Sequence, residues 1–256
     1  MRMAGLLEVC ADSVCSAVNA ARGGADRIEL CSALPLGGLS PDEDLFCMVR
    51  ERVDIPVRVL LRPRAGDFLY DEDEFELLCR QASRFAGLGA DGIVIGMLNP
   101  DGTLDTERMS ALMACGDGCG VTLHRAFDVC RDAHEALRTA KKLGVDTILT
   151  SGQQARCADG ALLLRELVSE SGEGLRILIG GGVNADVIRA LAPQTGADAF
   201  HLSAKAAVPS GMEFRRENVP MGIPGLNEFE LLRCDAASVR AAREALDAVC
   251  TARKEN

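Results

Sequence analysis

Two carboxylates, two histidines, an arginine and two thiols in this chain stand where chemistry needs them more than structure does. They lie in or at the end of short apolar runs: Leu6-Leu7-Glu8-Val9-Cys10, Arg27-Ile28-Glu29-Leu30-Cys31, Pro56 to Arg64, Val121-Thr122-Leu123-His124 and Ala199-Phe200-His201-Leu202-Ser203. Runs of this composition read as strands. Side chains alternate across a strand, so Glu8 shares a face with Cys10, Glu29 with Cys31, Arg62 with Arg64, Thr122 with His124 and His201 with Ser203. A strand buried on both faces should be nearly all apolar, so ionisable groups gathered at its end need a reason. Carboxylates and imidazoles brought together can move protons, and a guanidinium beside them can steady developing negative charge. The catalytic candidates are therefore Glu8, Glu29, Arg62, His124 and His201. The plainer reading of Glu8, Glu29 and Arg62 is a structural ion-pair set. Asp128, four residues after His124, could orient that imidazole, but the favoured reading is a cap or turn residue.

Cys10 and Cys31 end neighbouring strands, which run about 4.8 Å apart. Two thiols so placed are candidate metal ligands for a soft ion such as Cu(I), which prefers thiolate and accepts few ligands. Equally, they can be small residues at strand exits. Zn²⁺ would want more donors, with His201 as one option. The chain has eleven cysteines, an odd count with no CxxC pair, which argues against a disulfide scaffold. Cys47, Cys79 and Cys250 fall in apolar helical patterns and read as small core residues. A second kind of site is expected at Gly180-Gly181-Gly182-Val183-Asn184, where a strand enters a helix. In parallel barrels this corner and the loop after the eighth strand often cradle phosphate on backbone N–H groups. Gly181, Gly182, Ser203 and Lys205 are the anion-binding candidates, against the reading that the glycines only permit a turn. The pattern is neither a Walker loop nor a dinucleotide fingerprint.

These side chains need elements that bring five strand ends to one place. Strand-like runs begin near residues 6, 27, 56, 92, 121, 147, 176 and 199. Helical patterns follow at about 13–22, 42–52, 71–88, 105–114, 132–143, 160–169, from Asn184, and at 236–249. Eight strand–helix units in 256 residues predict an α/β fold with one domain over 1–256, a closed (β/α)₈ TIM barrel of about 250 residues. A doubly wound open sheet is the alternative. Ser40 reads as an N-cap with Pro41 at the first helical position. The acidic run Asp71 to Glu74 suits the positive end of a helix. A long loop is expected at about 205–234, carrying Pro209, Pro220 and Pro224, as a lid or a subunit contact.

A hydrophobic share of 48% with 26% charged residues is that of a globular chain with a sizeable core. No run of about 18 apolar residues occurs, so no membrane partner is expected, and the N-terminus lacks signal-peptide features. A cytoplasmic location follows. The net charge of −10 argues against a nucleic-acid partner.

The chain resembles the copper homeostasis protein CutC family. The resemblance rests on Glu8-Val9-Cys10, Gly24 to Cys31, Gly37-Gly38-Leu39-Ser40-Pro41, Arg62-Pro63-Arg64-Ala65-Gly66-Asp67-Phe68, His124 to Asp128, Leu149-Thr150-Ser151-Gly152 and Gly180 to Val183. It covers most of the chain and is weakest after about Ala236. Ala65 departs from it, standing where the family usually has glycine. The resemblance implies a TIM barrel, a cytoplasmic homodimer or higher homo-oligomer, and a link to copper, with Cu(I) bound through Cys10 and Cys31. Two functions are therefore expected to compete: copper handling at the thiol pair, and an enzyme acting on a small anionic or phosphorylated metabolite.

Overall fold

Short apolar runs separated by capped amphipathic segments leave few ways to bury both faces of a strand, and a closed barrel is one of them. The computed structural model describes residues 5–255 apart from positions 217, 218, 220, 221, 223, 224 and 226. Its strands are β1 (Leu6–Ala11), β2 (Arg27–Leu30), β3 (Val57–Leu60), β4 (Gly92–Ile95), β5 (Gly120–Leu123), β6 (Thr147–Thr150), β7 (Arg176–Ile179) and β8 (Ala199–Leu202). All pair in parallel, in chain order, and β8 closes on β1. Helices α1 (Val14–Gly23), α2 (Glu43–Arg50), α3 (Glu72–Gly87), α4 (Thr106–Cys115), α5 (Ala133–Leu143), α6 (Ala161–Ser171), α7 (Ala185–Thr195) and α8 (Ala236–Glu255) alternate with them. The expected (β/α)₈ barrel is the fold.

The caps explain where the helices begin. Asp71 and Glu74 form a reciprocal capping box at α3, and Asn184 accepts from Val187 N at α7. Ser40 does not cap α2, contrary to expectation. Asp42 does, accepting from Asp44 N, while the Ser40 hydroxyl accepts from Arg62 N and reaches Gln81.

The outward strand faces and the helices share one large apolar core. Inside the barrel, two small apolar groups remain, one of Cys31, Leu60 and Val94 and one of Leu149, Leu178 and Ala199. Polar side chains take up the remaining space. Arg58 lies across Gly92 and Gly120, where an added Cβ would come within 2.8 and 2.5 Å of it, and donates to Thr122 and Asp146.

The strands are shorter than the apolar runs. β3 stops at Leu60, so the alternation expected to put Arg62 and Arg64 on one face has already ended: Arg62 is buried, while Arg64 pairs with Glu74 on α3. The segment expected as a loop at 205–234 contains an antiparallel pair, β9 (Lys205–Pro209) and β10 (Glu230–Cys234). Pro220 and Pro224 lie outside the described residues. Among the described residues, no helix is long and apolar enough to cross a membrane.

Candidate functional site

Barrel closure brings three strands together around one carboxylate. The register sets Glu8 opposite Arg27 on β2 and His201 on β8, with Cys10 opposite Glu29. Glu8 is fully buried. Its Oε1 lies 2.8 Å from His201 Nδ1, and Arg27 Nε donates to its Oε2. Burial alone would raise the Glu8 carboxyl, but Arg27 and His201 outweigh it and hold the group at about 2. Burial likewise opposes an imidazolium, yet Cys10, Glu29 and Glu8 keep His201 well above the usual histidine range. Glu29 behaves in the opposite way. Burial pushes it up to about 7, with Glu8 adding and His201 and Arg27 opposing, and its Oε2 has no partner among the described residues. One ionised and one poised carboxylate therefore share a single imidazolium.

Arg27 was not among the expected site residues. The same alternation that turns Glu29 inward also turns Arg27 inward, two residues earlier, so the signal was present. Glu8, Glu29 and His201 each offer a ligand atom within 4.8 Å of the others. Arg27 already occupies Glu8 as its cation, so a divalent ion there would have to displace a buried salt bridge.

Arg62 and His124 form a second group just beyond the strand ends. Arg62 Nη1 donates to Leu36 O and Gly38 O, and Nη2 donates to Gly66 O at 2.8 Å. Its guanidinium sits 5.0 Å from the centroid of the Phe68 ring, and its Nε has no partner among the described residues. His124 packs 4.9 Å from the same ring. Ala126 N donates to His124 Nδ1 at 3.1 Å, which leaves the ring proton on Nε2, and that atom is buried without a partner among the described residues. Burial first, and the Arg62 charge second, push His124 down to about 3, so the ring stays neutral. Gly96 makes room for it: a Cβ there would lie 2.5 Å from His124 Cε1. Neither Phe68 nor Gly96 was singled out as a site residue from the sequence. Asp128 does not orient His124. It accepts from Thr150, Ser151, Gln153 N and Arg125, tying the turn after β5 to the loop after β6.

The thiols are not directly opposite each other. Cys10 faces Glu29 in the register and Ala11 faces Leu30, so Cys31 lies two residues further up, diagonal to Cys10 on the same face. Both are buried and free, and they are close enough for the Cys10 charge to raise the Cys31 thiol, after the larger effect of burial. Cys10 also lies against His201. Two buried thiols are a soft donor pair of the kind Cu(I) takes, while His201 is already engaged by Glu8.

At the second expected site, Gly181 and Gly182 adopt φ of 96° and 86°, where a side chain would be strained, and Gly181 O accepts from Cys157 N. Ser203 follows β8 on the neighbouring strand end. Lys205 lies on a different element. It starts the exposed ladder of β9, opposite Cys234, because the chain after Ala204 pairs with β10.

A model of the CutC family matches residues 5–206. A CutC family protein of Chromobacterium violaceum is 40% identical over 242 residues, covering 94% of this chain and 98% of that one. The human copper homeostasis protein cutC homolog is 43% identical over 237 residues, covering 92% and 86%. The crystal structure of a copper homeostasis protein CutC from Streptococcus agalactiae superposes with a TM-score of 0.73 at 27% identity, covering 78% of this chain and 98% of that one.

Proposed function

The chain belongs to the CutC family, and on that premise we propose that it serves copper homeostasis by holding Cu(I) between Cys10 and Cys31 in the barrel mouth. The observation that carries this reading is the diagonal thiol pair on one buried face, with His201 against Cys10. Thiolates satisfy Cu(I) with two or three donors, and a buried site shields the ion from water. Eleven free thiols suit a reducing cytoplasm, and the protein is expected there as a homodimer or higher homo-oligomer. In a Cu(I) competition titration against a chromophoric chelator, the wild type should take one equivalent. The Cys10→Ser/Cys31→Ser double variant should lose it, while Cys47→Ser keeps it. Unchanged stoichiometry in the double variant would overturn the assignment.

A second reading is favoured by buried polar atoms that lack partners among the described residues, Glu29 Oε2, Arg62 Nε and His124 Nε2 being among them. Such atoms are costly unless something binds them, and here an acid–base pair and a cation gather at the end of a barrel where substrates bind. This is the site of an enzyme acting on a small anionic metabolite, with Glu29 transferring the proton. Any turnover found by mass-spectrometric screening of metabolite pools should fall by about 10²-fold or more in Glu29→Gln. Full retention would remove Glu29 from the chemistry.

A further inference from the structure

We propose that Arg62 and His124 form a two-donor pocket for a carboxylate oxygen of a small organic acid, with the Phe68 ring as its wall. This deepens the enzyme reading by naming the substrate class and the atoms that hold it.

Arg62 is 8% exposed and, among the described residues, has no carboxylate partner. The Leu36, Gly38 and Gly66 carbonyls fix its orientation without neutralising it. A buried cation ordinarily has an anion beside it, so this one is a charge held ready for an anion that arrives with the ligand. Its Nε–H lacks a partner among the described residues, and the Tyr70 hydroxyl, buried and likewise unpartnered, lies beside the guanidinium. The Ser40 hydroxyl, which accepts from Arg62 N, holds the backbone behind it. His124 supplies the second donor. The Ala126 N–H fixes its tautomer, so Nε2 carries the proton, and that atom too is buried and unpartnered. Both groups pack on one ring, Arg62 at 5.0 Å and His124 at 4.9 Å from its centroid, and the Arg62 charge is near enough to act on the His124 ring.

The donor set selects the ligand chemistry. Two N–H groups beside an aromatic ring match one oxygen of a planar carboxylate. Phosphate would leave most of its oxygens without donors in so buried a place. The pocket is separate from the Gly181–Gly182 corner, and it needs neither Lys205 nor the thiol pair.

The test is titration of ¹⁵N-His-labelled protein with acetate and, separately, with inorganic phosphate, following His124 Nε2. Acetate should move that resonance saturably, and phosphate should act more weakly or not at all. Arg62→Met should weaken acetate binding about tenfold or more, the loss of one charge-assisted hydrogen bond. Gly96→Ala should do the same by pushing the ring aside without touching Arg62. Glu29→Gln should leave acetate binding intact while lowering turnover by about 10²-fold or more. Acetate binding without any turnover in the wild type would therefore fault the enzyme reading and not the pocket. The absence of a saturable acetate response in the wild type overturns the proposal. So does tighter phosphate binding, or unchanged affinity in both pocket variants. If the variants do not fold, the wild-type titration decides alone.

Discussion

Glu8→Gln is expected to cost about 3–5 kcal/mol of stability at pH 7, the range for removing one partner of a buried ion pair. The substitution preserves shape but leaves Arg27 and His201 facing a neutral amide in the barrel interior. For a chain of this size the melting temperature should fall by roughly 10 °C. An independent route leads to a similar figure. The folded carboxyl is held at about 2, below its ordinary 4.5, despite burial and because of Arg27 and His201. A depressed carboxyl contributes stability above its unfolded value and loses it as pH falls towards the folded value. The gap here corresponds to about 3 kcal/mol at neutral pH. The difference between wild type and variant should therefore shrink as pH drops from about 4.5 towards 2. Urea melts at pH 7 and pH 3 check both the size and the window. A difference below about 1 kcal/mol at pH 7 would mean that Arg27 and His201 find other partners or shed their charge.

Glu8, Glu29 and His201 were legible because a two-residue alternation on strands buried on both faces forces any polar side chain inward, and barrel closure then makes β8 and β2 the neighbours of β1. Arg27 obeys the same rule and could have been read in the same way. Arg62 and His124 were legible as to type, but not as to partners. They lie past the ends of β3 and β5, where alternation no longer applies and the loops set direction. What places them is a set of tertiary contacts: the Ser40 hydroxyl, the Phe68 ring and the absent side chain at Gly96. A single sequence carries no signal for these beyond the glycine itself. The diagonal offset of Cys10 and Cys31 depends on how far β2 slides along β1. That offset follows from strand stagger and is not visible in either strand alone. The element that carries Lys205 was not legible, because the residues after Ala204 form a ladder with residues 230–234, a pairing across some twenty intervening residues.

Glu29→Gln should stabilise the protein at pH 8, by about 1–3 kcal/mol, and leave it unchanged near pH 4. Burial raises the folded Glu29 carboxyl to about 7 from 4.5, Glu8 adds to the rise, and His201 and Arg27 oppose it. A raised carboxyl gives its full contribution below the unfolded value and loses it as pH climbs through the folded one. The wild type should therefore weaken between about pH 4.5 and 7 through this group. Glutamine matches the protonated carboxyl in shape and cannot ionise, so the variant should lack that slope. This limb lies above the acid limb of Glu8, so melts across pH 3–9 separate the two carboxylates. Equal or lower stability of Glu29→Gln at pH 8 would show that Glu29 is ionised and well paired in the fold. A gain would mean that the barrel keeps a carboxylate it would be more stable without. Interiors shaped only by stability replace such groups with apolar or neutral ones, whereas sites that bind or react keep them. Gain in stability together with loss of turnover in the same variant is thus the combination that would separate a working carboxylate from a structural one.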